Sequence, residues 1–252
     1  NNYLQYYYHA WSSEIIYFLN QQRSLLALQK AEKMKKQAFA DRYPYGIFSC
    51  IRTMGHIYKS RGNFDLSAQY YQEALDYMLK NMPDQDPSQL YSSLAEYYRN
   101  TQKDYATALD YCEKALKSAK TERNIAQAMI EKCLILFRQG RIDEFNDCYK
   151  EAVQMADRCK LSANVSLLIA HISKNILDKQ YEQAHAHADQ LSEKGLQQHA
   201  YIYEYAKDYP NAIKYLKKYH QQLDSTNNLL QLSDIAELNT QIGAERLKME
   251  NI

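Results

Sequence analysis

An all-α fold of stacked helical hairpins is what this sequence predicts, and three observations carry the prediction. Six Gly and four Pro in 252 residues leave too few turn residues for a many-stranded β protein, whose hairpins consume them. Small and large side chains recur in one fixed order along the chain. Pro44, Pro83 and Pro87 fall between the copies of that order, and Asp86-Pro87 reads as an N-cap followed by proline in a first turn. The expectation is one continuous array, because stacked repeats bury their core between neighbours.

The copies run in order. The first is Trp11-Ser12-x-x-Ile15 with Ser24-x-x-x-Leu28-x-x-Ala31, Ser12 and Ser24 taking the small positions. The second is the clearest: Ile51-x-x-Met54-Gly55-x-x-Tyr58, Gly62-Asn63-Phe64, then Ser67-x-x-x-Tyr71-x-x-Ala74-Leu75. The third, Tyr91-x-x-Leu94-Ala95-x-x-Tyr98 with Ala108-x-x-x-Cys112-x-x-Ala115-Leu116, carries one extra residue in the turn between its helices. The fourth, Cys133-x-x-Leu136, Gly140-Arg141-Ile142 and Phe145-x-x-x-Tyr149-x-x-Ala152-Val153, puts Phe145 where a small residue is expected, so this hairpin should splay. Register in Ser162–Leu177 is fixed only to within a residue; Tyr181-x-x-Ala184-x-x-x-Ala188-x-x-Leu191 resumes it. Ala200-x-x-Tyr203 and Asp208-Tyr209-x-x-Ala212-x-x-x-Leu216 make a last, shortened unit.

This order of residues resembles the tetratricopeptide repeat. Gly55 and Ala95 then stand where the two helices of a hairpin cross most closely, and Tyr58 and Tyr98 fill the space one turn later. Ala31, Ala74, Ala115, Ala152, Leu191 and Tyr219 are 43, 41, 37, 39 and 28 residues apart, mostly longer than the family's roughly 34. Most helices should therefore be extended by about a turn. The resemblance implies a right-handed superhelix of about five to six hairpins over residues 1–225, followed by a C-terminal helix over 226–252.

Tyrosine is the oddest part of the composition, at 24 residues. Tyr58, Tyr71, Tyr98, Tyr105, Tyr149, Tyr181 and Tyr209 occupy positions the repeat gives to core aromatics. Tyr3, Tyr6, Tyr7, Tyr8, Tyr201, Tyr203 and Tyr205 exceed that need, and packing at the ends of the array is favoured over a partner surface.

Charge excludes one class of partner. With 31 Lys and Arg against 30 Asp and Glu there is no basic excess of the kind that binds nucleic acid, and the basic run Lys30–Lys36 reads as a solvated outer face. No apolar run approaches the ~18 residues of a membrane span. The chain begins Asn1-Asn2 without Met and stops inside a helical pattern at Ile252, so an excised part of a longer protein is expected. Cys50, Cys112, Cys133, Cys148 and Cys159 show no metal-type spacing and read as buried free thiols, which favours a reducing compartment.

No catalytic motif, phosphate loop or cofactor signature is present. His185 and His187 are two apart on a helix and so leave it on different sides, whereas a helical metal pair needs three or four. What remains is recognition by the faces of the first helices, which in this family line a groove. They place Arg52, His56 and Lys59 in one hairpin, Glu96, Arg99 and Asn100 in the next, and Gln127, Glu131 and Arg138 in the third. That set is polar and of mixed sign; it suits a peptide, a protein or a small polar ligand, with a merely solvated face as the plain alternative. The family's carboxylate clamp is disfavoured: its positions read Arg52, His56, Ser93, Gln127 and Glu131, and Glu131 should repel a terminal carboxylate.

In the tail, Ile235, Leu238, Ile242, Met249 and Ile252 follow the a and d spacing of a coiled coil, broken at Glu245. They form either the seam of a homodimer or a cap on the last repeat. An array of long, Tyr-rich repeats running into Ser233–Thr240 and this heptad helix resembles the sensor regions of bacterial membrane-bound histidine kinases and related regulators. The resemblance implies a non-catalytic sensor of two-component signalling, placed outside the cytoplasm against the grain of the cysteines. A cytosolic adaptor or peptide-responsive transcriptional regulator is the alternative.

Overall fold

The structure, a computed structural model, describes residues 2–161, 164–192 and 194–250, and the side chains of all of these except 2, 236, 237 and 239–250. Twelve α-helices account for nearly all of it, and no strand occurs among the described residues. They are α1 (Asn2–Asn20), α2 (Ser24–Ala40), α3 (Pro44–Ser60), α4 (Phe64–Asn81), α5 (Ser88–Tyr97), α6 (Tyr105–Ser118), α7 (Glu122–Arg138), α8 (Ile142–Arg158), α9 (Val165–Leu177), α10 (Tyr181–Ala188), α11 (Gly195–Tyr205) and α12 (Tyr209–Glu250). Two compact units divide them: unit 1 is Asn1–Gln85 with Asp224–Ile252, and unit 2 is Asp86–Leu223.

Why the helices end where they do is visible in the turns. After α1, α2, α3, α7, α8, α9 and α11 an N–H bonds the carbonyl five residues back, as from Asn63 to Tyr58 and from Arg141 to Leu136. The residue before each such N–H is left-handed, which is the Schellman stop. Only Gly62 and Gly140 do this as glycine; Gln22, Arg42, Lys103, Lys160, Lys179 and Lys207 adopt positive φ as well. Five of those six are cationic, a charge that suits a helix C-terminus. Four helices, α4, α6, α7 and α9, start on a polar cap, with Asn63, Asp104, Thr121 and Asn164 side chains accepting from an N–H three residues on.

The extra residue of the third copy is absorbed inside the helix. Tyr98–Gln102 widen into a π-type turn at the end of α5, ending at left-handed Lys103. A one-residue insertion needs such a bulge to keep the following turn in phase. Asp86 does more than cap α5. Its carboxylate accepts from the Ser88 N–H at 2.9 Å, the Lys120 N–H at 2.8 Å and the Asn124 amide at 2.9 Å, tying both ends of a hairpin.

Within each unit consecutive helices pack as antiparallel hairpins, and first helices pack on first helices: α1 on α3, and α5 on α7 on α9. The small positions lie at the crossings. Gly55 is buried, and a Cβ on it would meet the Tyr71 ring at 2.6 Å. Ala74, Ala95 and Ala115 are each 0% exposed. Replacing Ala74 or Ala115 by Leu should overpack its hairpin and lower stability by roughly 1–3 kcal/mol. Unchanged melting temperatures in both variants would show the register to be wrong.

Tyr8 packs at the end of the array, fully buried against Gly46, where a Cβ would come within 2.8 Å of its ring. One expectation about tyrosine needs correction. Tyr209, assigned to the core, is 57% exposed. It begins α12 on an outward stripe with Ile213 and Leu216, also exposed. The second helix of the last repeat and the tail are one helix, because no Gly or Pro interrupts the chain between Pro210 and Gly243.

Inside unit 1 the tail is fastened. Asp234 accepts from the Arg61 guanidinium at 2.8 Å and the Ser24 hydroxyl at 3.1 Å. Ile235 and Leu238 beside it are 54% and 46% exposed. Ile252 and the side chains of Ile242 and Met249 lie outside the described residues.

Candidate functional site

Each unit carries a cavity on the faces of its first helices. In unit 1 a cavity of about 340 Å³ lies between α1 and α3, where Ile16 and Tyr17 join the polar side chains of His9, Ser12, Ser13, Asn20, Ser49, Arg52, Thr53 and His56. Its hydroxyls are held by the fold: Ser12 and Ser49 bond each other at 2.7 Å, Thr53 donates to the Ser49 carbonyl, and Ser13 donates to the His9 carbonyl. Arg52 is different. Its guanidinium lies over the Phe48 ring at 5.3 Å, and its Nε is buried without a hydrogen-bond partner. No acid lines this cavity.

His56, one turn beyond Arg52, bonds the Tyr71 hydroxyl through Nδ1 at 3.0 Å. The residue is exposed and lines the cavity. Loss of water and the Arg52 and Lys59 cations push its pKa down to about 4. The ring is therefore neutral at physiological pH, and a bound anion would draw a proton onto it.

In unit 2 a cavity of about 280 Å³ is lined by Gln89, Ser92, Ser93, Glu96, Gln127, Glu131, Asn164 and Ser166, with no base among them. It has the opposite polarity. Of the expected groove residues, Glu96, Gln127 and Glu131 are brought together here, as Arg52 and His56 are in unit 1.

The remaining four are placed otherwise. Lys59 flanks His56 without lining the cavity. Arg99 is buried, its Nε 2.5 Å from Glu131 Oε1 and its second nitrogen 3.3 Å from Oε2, while its third donates to exposed Asn100 at 2.8 Å. Burial works against the Arg99 charge, but Glu131 more than restores it and lifts its pKa above the usual range. Arg138 caps the Tyr201 ring at 4.3 Å. Arg99 therefore serves the fold and not a ligand directly, and the repulsion expected of Glu131 is offset by its partner.

His185 and His187 diverge. His187 stacks on His171, and His171 Nδ1 meets the Tyr149 hydroxyl at 2.6 Å. His185 meets His199 with their Nδ1 atoms 2.7 Å apart, and His199 Nε2 lies 3.0 Å from Asp189. With its Nε2–H given to Asp189, His199 accepts from the His185 Nδ1–H. Burial, then the neighbouring imidazole, holds His171 and His185 below the usual histidine range. No group of three or more His, Cys, Asp or Glu among the described residues could hold a metal ion.

The tetratricopeptide repeat family model matches residues 53–77, the crossing of α3 and α4 around Gly55 and Tyr71. Solved structures agree over most of the chain. BtubC (BKLC) from P. vanneervenii is 17% identical with a TM-score of 0.51, over 83% of this chain and 92% of that one. NprR in complex with its cognate peptide NprX is 16% identical at 0.54, over 86% and 68%. Aspartyl phosphate phosphatase F from Bacillus subtilis is 17% identical at 0.56, over 85% and 70%. The fold is that of the tetratricopeptide repeat. No curated protein matches the chain. Both cavities lie on first helices. No described helix is long and apolar enough to cross a membrane.

Proposed function

We propose that the chain is a non-catalytic peptide- or protein-recognition scaffold of a regulatory protein. The observation that carries this is the unit 1 cavity, where Arg52 holds a buried, unpartnered donor among fixed hydroxyls with no acid nearby. An extended peptide supplies what such a face lacks, namely acceptors at short intervals. NprR, of the same fold, is seen with a peptide bound, which supports the reading. The cavity should prefer peptides with a carboxylate near the contact, since a charge-assisted hydrogen bond adds roughly 1.5–3 kcal/mol.

The test is a titration of labelled peptides, acidic against amidated or neutral, on the chain and on Arg52→Met. Acidic peptides should bind the native chain more tightly, and the variant should lose on the order of 10- to 100-fold for them alone. Equal loss for neutral peptides, or no binding by any peptide, would overturn the proposal.

A second reading has one observation in its favour. Ile235 and Leu238 stand exposed on a 42-residue helix, as the seam of a dimeric stalk would in a single copy. On that reading the chain is the sensor of a two-component histidine kinase, outside the cytoplasm; the peptide-responsive scaffold would instead sit within it. Sedimentation decides: a seam makes the chain self-associate at high concentration and Leu238→Asp abolishes this. A native chain monomeric throughout removes the sensor reading's main support.

A further inference from the structure

Cys133 in α7 and Cys148 in α8 face one another across their hairpin with sulfurs 2.8 Å apart. The Cys133 thiol donates to the Cys148 sulfur, and the Cys148 thiol donates to the Met129 carbonyl at 3.5 Å. Cys133 is 0% exposed and Cys148 is half-buried, so a reagent reaches the second before the first. All five cysteines are free. A disulfide needs its sulfurs at about 2.05 Å, so closure asks for a movement of less than roughly an ångström. No other pair of thiols is hydrogen-bonded among the described residues.

We propose that Cys133 and Cys148 form a thiol–disulfide exchange site, at which a small-molecule disulfide of the glutathione type links α7 to α8. Cys148, as its thiolate, attacks one sulfur of the reagent; the reagent's S–S bond breaks, a mixed disulfide forms on Cys148, and one thiolate leaves. Cys133 then gives up its proton to solvent and attacks the Cys148 sulfur, forming the protein disulfide and expelling the second reagent thiolate. Two protein thiols are oxidised and one small disulfide is reduced to two thiols.

The order of events follows from the surroundings. The Cys133 S–H remains as donor to the Cys148 sulfur when that sulfur loses its proton, and Lys132 adds a nearby cation; both lower the Cys148 pKa against the effect of burial. Cys133 is held up, first by donating that bond and then by burial. The half-buried partner is thus the attacking thiol and the fully buried one the resolving thiol. The link would fix α7, which carries Gln127 and Glu131, to its hairpin partner, and it stands whether or not the cavity binds a peptide.

The test uses the reduced full chain incubated with oxidised glutathione without oxygen, quenched in acid, denatured and titrated. Three of five thiols should remain, the mass should fall by two hydrogens, and peptide mapping should join Cys133 to Cys148. In Cys133→Ala a glutathione adduct should persist on Cys148; in Cys148→Ala, Cys133 should stay a thiol. A cooperative melt of each variant shows it is folded. Five titratable thiols under conditions that oxidise dithiothreitol, a link through Cys112 or Cys159, or a lasting adduct in the native chain would overturn the proposal.

Discussion

Arg99→Ala should lower the stability of the domain by about 3–5 kcal/mol, the cost of leaving one member of a buried ion pair alone. The side chains of Arg99 and Glu131 are each 7% exposed, and the pair ties the π-type turn after α5 to the middle of α7. The loss comes less from forfeited attraction than from a buried carboxylate deprived of its counter-charge. Glu131 would then hold its proton more tightly, so the folded variant binds more protons than its unfolded chain. The deficit should be largest at high pH and shrink as acid supplies the proton. Urea melts of both single variants and of Arg99→Met with Glu131→Leu check this. The apolar double variant should recover most of the loss, because burying neither charge removes the penalty. A single-variant loss below about 1 kcal/mol, or a double variant no better than the singles, would show the pair to be effectively solvated.

That pair marks where sequence reasoning stopped. Arg99 and Glu131 both fall on first-helix faces that the repeat register turns toward a groove. Spacing along one helix cannot show that residues 32 apart close on each other. The same holds for Cys133 and Cys148, which the sequence presents only as two small apolar positions. Short-range rules did well by contrast. Gly55, Ala74, Ala95 and Ala115 lie buried at crossings because a one-turn pattern of small and large residues has one packing solution.

Turns were half legible. Gly62 and Gly140 announce left-handed stops, but six further stops use Gln, Arg or Lys, which have no such signature. A capping side chain, Asp104, Asn164 or Asp208, follows only the stops at Lys103, Lys160 and Lys207. The inserted residue of the third copy was visible; that a π-type turn takes it up was not. Tyr209 was misplaced because the motif assigns an aromatic to that slot whatever follows. Here one unbroken helix follows, and it turns Tyr209, Ile213 and Leu216 outward.

The second large effect is expected at Phe145, where the repeat asks for a small residue. The ring is 0% exposed, with Phe137 at 5.6 Å and Tyr149 at 5.7 Å between ring centres. Phe137 in turn stacks on Tyr205 at 5.9 Å and meets Tyr201 edge-on at 6.3 Å, so the α7–α8 hairpin and α11 share one aromatic cluster. The large side chain is therefore structural filling, and restoring the family's small residue should harm the fold. Phe145→Ala should cost about 3–5 kcal/mol, since the helices around a buried ring collapse only in part when it is removed. Phe145→Leu, which keeps most of the volume, should cost clearly less. Phe39→Ala, at a ring 52% exposed, serves as the control and should stay within about 0.5 kcal/mol of the native chain. Denaturant melts of the three variants decide. A Phe145→Ala variant as stable as the native chain would mean that α7 and α8 can close over the smaller residue, and that the aromatic cluster is a consequence of the fold and not a cause of it.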